Sequence, residues 1–135
     1  MKAIPTVQKY MTTVPYTIGA EQSLAKAEKV MSEHRVRHLP VLRGGQLVGI
    51  LSERDMRLVE SFKDVDPEQV TVEEAFTPEP YIIRPSTPLT DVCSEMVSHR
   101  YGCAIVCDNN KLVGIFTWID ALKALDELLA TRLKH

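Results

Sequence analysis

Ser52 and Asp55 stand three residues apart at the end of the apolar run Leu47-Val48-Gly49-Ile50-Leu51. Sixty-five positions on, Thr117 and Asp120 repeat that spacing behind Leu112-Val113-Gly114-Ile115-Phe116. At a helix start, a Ser or Thr oxygen accepts from a free backbone N–H, and an acid three places later reaches back to the cap's own N–H. Helix stability alone would account for such a capping box. The same corner gathers a carboxylate, a hydroxyl and unpaired N–H groups, so whether it serves more than the helix depends on its surroundings.

Other reactive residue types do not gather. Cys103 and Cys107 share a strand face but lie about 13 Å apart at ~3.3 Å per residue, beyond the ~7 Å Cα limit of a disulfide. Neither has a zinc spacing with His38 or His99, so the expectation is buried apolar thiols and no metal. No nucleophile has an adjacent base, no acids pair for acid–base work, and Gly44-Gly45 is a hairpin turn rather than a phosphate-cradling loop. No catalytic residue is assigned, and the chain is read as not an enzyme. His34 and His99 fall at helix ends, where an imidazole near terminal carbonyls is favourable. Trp118, in a first helical turn, is read as a packing residue.

The 135 residues make one compact domain or two small halves sharing a core. A composition 44% hydrophobic and 25% charged is ordinary for a soluble globular protein. The formal charge of −2 lacks the basic excess of nucleic-acid binders. No apolar run reaches the roughly 18 residues of a membrane span, and the Met1-Lys2-Ala3-Ile4-Pro5 start has no hydrophobic segment behind it. Three cysteines without a C-x-x-C pair fit reduced thiols and a cytoplasmic location.

The spacing of 65 extends well beyond the two corners. Thr12/Thr77, Tyr16/Tyr81, Ile18/Ile83, Leu24/Leu89, Met31/Met96, His34/His99, Arg35/Arg100 and Val41/Val106 are identical pairs in one ungapped register. The chain is a tandem duplication, with halves 1–65 and 66–135 and a linker from Ser61 to Gln69. Each half opens on a Pro-rich lead-in and a short β-favouring run at Tyr16-Thr17-Ile18 or Tyr81-Ile82-Ile83. A helix follows with an apolar stripe, Leu24, Ala27, Met31 or Leu89, Val92, Met96. Thr87 as cap and Pro88 at the first helical position mark the second of these clearly, whereas Gln22-Ser23 is a weaker signal for the first. Two strands joined at Gly44-Gly45 or Asp108-Asn109-Asn110 form a hairpin. Pro40 cannot donate to a ladder, so its strand is expected to have an unpaired side there. A helix from Ser52 to about Val59 closes the first half. The last helix carries Leu122, Leu125, Leu129 and Leu133, a stripe that two small halves bury only in part; the excess is a candidate dimer surface, with packing against the chain's own body as the alternative.

A tandem β-α-β-β-α unit with h-x-G-h-h-[Ser/Thr]-x-x-Asp closing each hairpin resembles a cystathionine-β-synthase-type (CBS) domain pair, or Bateman module. Met11-Thr12, Arg37-His38-Leu39-Pro40-Val41 and Gly49 to Asp55 carry the likeness in the first half. Thr77, Leu112 to Ile115 and Thr117-Trp118-Ile119-Asp120 carry it in the second. The resemblance implies an α+β fold, an α/β sandwich of two motifs packed about a pseudo-twofold axis, with clefts for adenosine-containing ligands. An Asp carboxylate can accept both ribose hydroxyls, and the hydroxyl with the helix-start N–H groups suits a phosphate.

Carried over to this sequence, one site has Ser52 and Asp55 on ribose and phosphate, with Thr77, Tyr81, Tyr101 and Gly102 around the base and Arg37, His38 and Arg54 near phosphates. The other has Thr117 and Asp120 on the ribose, with Thr12, Tyr16, Val36 and the Arg37-His38 backbone around the base. Gly102 and Cys103 replace Arg37 and His38 in the second half, and Ile119 replaces Arg54, so the second site lacks local cations. The reading is a cytoplasmic, homodimeric ligand sensor without a required cofactor. It takes AMP, ADP, ATP, S-adenosylmethionine or an NAD-type molecule and passes a conformational shift to a separate, unidentified protein, with no role for membrane or nucleic acid. The alternative is a homodimerisation scaffold whose clefts bind nothing.

Overall fold

The computed structural model of the chain describes residues 3–62 and 64–132. Two compact units emerge. One runs from Pro15 to Pro80; the other joins the residues up to Val14 to those from Tyr81 onward. These are not the repeat halves 1–65 and 66–135. Each half donates its lead-in to the unit built on the other half, because the strand edge that accepts it belongs to that unit.

In the Pro15–Pro80 unit the elements are β2 (Ile18–Gly19), α1 (Leu24–His34), β3 (His38–Arg43), β4 (Gln46–Ser52), α2 (Glu53–Glu60) and β5 (Thr77–Pro78). The sheet order is β2-β3-β4-β5. Crossover through α1 makes β2 and β3 parallel, Ile18 opposite Val41, while β3 and β4 form an antiparallel hairpin. Gly44 and Gly45 turn that hairpin with φ of 58° and 80°, the doubly positive pair that matches strand twist. Pro40 lies inside an interior strand, paired to Ile50 on one side and outside the two residues that meet β2 on the other. Its counterpart Ile105 donates its N–H to the Tyr81 carbonyl at 2.8 Å, so proline leaves the corresponding bond to the Tyr16 side unmade.

The second unit repeats this plan with β1 (Thr12–Thr13), β6 (Ile82–Ile83), α3 (Leu89–His99), β7 (Cys103–Asp108), β8 (Lys111–Thr117) and α4 (Trp118–Arg132), in sheet order β1-β8-β7-β6. Asn109 and Asn110, at φ of 51° and 65°, replace the glycine pair. The helical stripes are buried as their spacing requires: Leu24, Ala27 and Met31 pack with Leu39, Val41 and Leu51, and Leu89, Val92 and Met96 with Val106 and Phe116.

Helix starts reverse the expectation from sequence. Ser23 caps α1, its hydroxyl accepting from the Lys26 N–H at 3.1 Å. Thr87 does not cap α3: Pro88 is the cap residue, extended at ψ 140° and without a side-chain bond. The Thr87 hydroxyl accepts from the Arg84 N–H instead, and the first free donor of α3, Leu89 N–H, goes to the Pro5 carbonyl. Leu24 N–H likewise donates to the Val70 carbonyl. The lead-in segments thus satisfy helix donors as well as adding strands.

The glycine inside each h-x-G-h-h run lets those segments in. A Cβ on Gly49 would collide with the Phe76 ring and the Thr77 carbonyl, and one on Gly114 would come within 2.8 Å of the Met11 sulfur and 3.0 Å of the Thr12 carbonyl. Only a bare backbone allows β5 to lie on β4, and β1 on β8, at this distance.

The apolar stripe expected on the last helix is exposed at Leu122, Leu125 and Leu129. Leu133 lies outside the described residues. Among the described residues no helix is long and apolar enough to cross a membrane.

Candidate functional site

Each h-x-G-h-h strand delivers its hydroxyl residue to the first turn of the following helix, and both boxes close. At the first, the Asp55 N–H donates to Ser52 Oγ at 3.0 Å and the Ser52 N–H donates to Asp55 Oδ2 at 2.9 Å. At the second, the Thr117 N–H donates to Asp120 Oδ2 at 2.9 Å, and the Asp120 N–H reaches Thr117 Oγ1 at 3.5 Å. The pairing of β5 with β4 brings Thr77 onto the first carboxylate, its hydroxyl shared between Oδ1 at 3.2 Å and Oδ2 at 3.3 Å. The pairing of β1 with β8 brings Thr12 onto the second, donating to Oδ1 at 3.0 Å.

The two carboxylates differ in access. Asp120 is 4% exposed, the one buried charged side chain among the described residues, and its oxygens accept from Thr12 and Thr117. Asp55 is half-buried and keeps acceptor capacity at Oδ1, where only the shared Thr77 hydroxyl arrives. His38, opposite Ser52 in the β3–β4 ladder, is close enough to feel the Asp55 charge, while Arg54 is exposed on the first turn of α2 and Arg37 is exposed on the groove between α1 and α2, with Glu53. Burial holds the His38 imidazole below its usual 6.5. Asp55 opposes that shift, Arg37 adds to it, and Glu53 opposes it more weakly. The Glu53 N–H donates to the Arg37 carbonyl at 2.9 Å, fastening the Arg37-His38 segment to the start of α2.

Aromatic residues supply flat surfaces in both units. Tyr16 stacks on His34 with ring centres 3.7 Å apart, and Val36 is half-buried near them in sequence. In the other unit Tyr81 stacks on Tyr101 at 5.0 Å, and His99 on Tyr101 at 5.1 Å. Burial pushes the Tyr81 phenol up, with Glu95, Asp91 and Tyr101 adding to it. Gly102 leads from Tyr101 into β7, and the Trp118 indole N–H donates to the Tyr101 carbonyl at 3.3 Å.

Of the residues singled out from sequence, the Pro15–Pro80 unit holds Tyr16, Val36, Arg37, His38, Ser52, Arg54, Asp55 and Thr77. The other holds Thr12, Tyr81, Tyr101, Gly102, Thr117 and Asp120. Sequence reasoning placed Thr77 and Thr12 near the base and missed their direct bonds to the carboxylates. The register of Gly49 opposite Pro78 and Gly114 opposite Thr13 creates them, and a shared offset of 65 was the available signal. Among the described residues no group of His, Cys, Asp and Glu could hold a metal ion. The cysteines are free, and burial pushes the Cys103 thiol up to about 12, far from a nucleophile's range.

A family model described as CBS domain matches residues 7–60 and again 72–127. The CBS domain-containing protein YhcV of Bacillus subtilis is 32% identical over 110 residues, 82% of this chain and 78% of the relative. The chain also resembles inosine-5'-monophosphate dehydrogenases, but spans only 26% of that of Korarchaeum cryptofilum. Among solved structures, AcuB of Vibrio cholerae, linked by name to acetoin utilization, superposes with a TM-score of 0.86 at 25% identity, covering 98% of both chains. CBSX2, solved in complex with AMP, superposes at 0.80 with 26% identity over 91% of this chain and 97% of its own. Two matched segments, in register with the duplication and each ending on a capped Ser/Thr-x-x-Asp corner, place this chain in the CBS domain family as a tandem CBS pair.

Proposed function

We propose that this CBS pair is a regulatory module that binds adenosine-containing ligands, catalyses no reaction, and works in the cytoplasm as a homodimer. AMP, ADP, ATP, S-adenosylmethionine and NAD-type molecules share the group its corners suit. The carrying observation is the Asp55 carboxylate: the Ser52 N–H fixes one oxygen, while the other has room for acceptor bonds from ribose hydroxyls. The CBSX2 complex with AMP supports the ligand class.

At this corner Ser52 and Asp55 hold ribose and phosphate. Arg37, His38 and Arg54 face the phosphates, where an anion also gains from the α2 N-terminus. Thr117, Asp120 and Thr12 form the counterpart without cations, suited to a nucleoside or to few phosphates. Tyr81, Tyr101 and Gly102, and Tyr16 and Val36, offer surfaces to adenine. A ribose on Asp55 competes with the Thr77 hydroxyl and so acts on β5. The ligand thereby favours one conformation, which a separate protein reads. A structural scaffold is the second reading, and the closed state of Asp120 favours it for that corner.

Thermal melting with AMP, ADP, ATP, S-adenosylmethionine and NADH tests the proposal, with GTP as control. A ligand at a hundred times its dissociation constant adds about 2.7 kcal/mol of stability. A midpoint unmoved by every adenine compound leaves the scaffold reading.

A further inference from the structure

The fold does not ask for charge on the groove between α1 and α2. That groove, about 450 Å³, lies wholly within the Pro15–Pro80 unit. Glu28 lines it from α1, Arg35 and Arg37 from the chain leaving α1, and Glu53, Arg57 and Glu60 from α2. Shifted by 65, these positions become Cys93, Arg100, Gly102, Trp118, Leu122 and Leu125, so only Arg35 keeps its charge. The same elements form in that repeat without the others.

The charges are sorted along the groove. Glu60 sits close enough to Glu28 to feel its carboxylate, and burial together with that neighbour pushes the Glu60 carboxyl up. The two acids mark one end. The Glu53 N–H donates to the Arg37 carbonyl at 2.9 Å, which sets the start of α2 beside the chain leaving α1, so Arg35 and Arg37 mark the other. Between the ends Arg57 pairs with Glu53. Seven positions separate Glu28 from Arg35 and Glu53 from Glu60, about 10 Å of helix axis. Buried Met31 and Met56 supply an apolar, adaptable lining, and exposed Ser32 adds a hydroxyl. Glu60 Oε2 is enclosed and accepts no hydrogen bond among the described residues.

From this order we infer a further binding site, for a short peptide with free ends. Its ammonium goes to Glu28 and Glu60, its carboxylate to Arg35 and Arg37, and an apolar side chain rests on the two methionines. Three extended residues span about 10 Å at ~3.3–3.6 Å each, which matches the separation of the acidic and basic ends. An ammonium has three donors, enough for both acids and the enclosed Glu60 oxygen, and a guanidinium offers paired donors to a carboxylate. A dication would meet the arginines and a dianion the glutamates, so the groove selects a zwitterion. Peptide binding here does not require a nucleotide at the Asp55 corner.

Titration of Ala-Leu-Ala into the nitrogen-15-labelled protein, followed by NMR, tests the site. Saturable amide shifts are expected in α1 and α2. Blocking either end of the peptide, by N-acetylation or C-terminal amidation, should weaken binding at least about tenfold, the worth of a charged hydrogen bond. Glu60→Gln and Arg35→Gln, each first shown folded by circular dichroism, should weaken the free peptide as much. Glu60→Gln should cost nothing more against the acetylated peptide, a non-additivity that a general structural defect would not produce. The absence of saturable shifts in α1 and α2, or equal binding of free and blocked peptides, overturns the assignment.

Discussion

The Thr12 hydroxyl donates to Asp120 Oδ1 at 3.0 Å across 108 residues of chain, and Thr77 makes the corresponding bond to Asp55 across 22. One local repeat of sequence therefore closes through two different chain separations, because each lead-in strand belongs to the opposite half. In both cases the residue that closes the carboxylate is delivered by a two-residue strand lying on a glycine.

That difference in closure sets unequal costs for the two carboxylates. Asp120→Ala leaves Thr12 and the Thr117 N–H without their acceptor inside the protein and should cost about 2–3 kcal/mol. Asp55→Ala, at a half-open corner, should cost about 1 kcal/mol, the worth of a cap. Urea denaturation of the two variants checks the order, and equal losses would contradict the contrast in burial.

Gly49→Ala should destabilise by about 1–3 kcal/mol, as overpacking does, and should also weaken ligand binding by moving Thr77. Gly114→Ala should be milder, since the nearest obstacle is the flexible Met11 side chain. Melting temperatures of both variants decide this, and a Gly49→Ala protein as stable as wild type would remove the close approach as the reason for glycine.

Acidification should destabilise the protein through His38. Its folded value is held below 6.5 by burial, so the unfolded chain takes up the proton first. The contribution is complete above about pH 6.5 and lost as pH falls through the folded value. Glu60, raised by burial and Glu28, gives a slope of opposite sign above its usual value of 4.5. Comparing His38→Gln with wild type between pH 7.5 and 5.5 isolates the imidazole: the variant should lose less stability across that range.

The proposed phosphate role of Arg37 and Arg54 predicts ligand preference. Arg37→Ala and Arg54→Ala should weaken ATP more than adenosine, and the loss should shrink at high salt. Calorimetry at two ionic strengths measures it; equal losses for both ligands would place these arginines away from the phosphates.

Elements defined by neighbouring residues were legible in the sequence. The Leu24-Ala27-Met31 stripe, the glycine turn and the Ser52/Asp55 box each report a local geometry, and the duplication confirmed them. Features set by distant partners were hidden. Thr87 looked a better cap than Ser23, but the Pro5 carbonyl, brought in by the N-terminal segment, takes the helix donor. The exchange of Thr12 and Thr77 between halves follows from which strand edge is open, and no spacing along the chain encodes that. The stacking of Tyr81 on Tyr101 likewise depends on Tyr101 replacing Val36 at a position whose surroundings only the fold reveals.

The central claim is that the Asp55 corner takes the ribose of an adenosine ligand. Calorimetric titration of AMP into wild type, Asp55→Ala and Asp120→Ala, each first shown folded by circular dichroism, tests it most directly. The account predicts saturable binding to wild type, its loss in Asp55→Ala, and its retention in Asp120→Ala. Undiminished AMP binding by folded Asp55→Ala, or loss confined to Asp120→Ala, would contradict it.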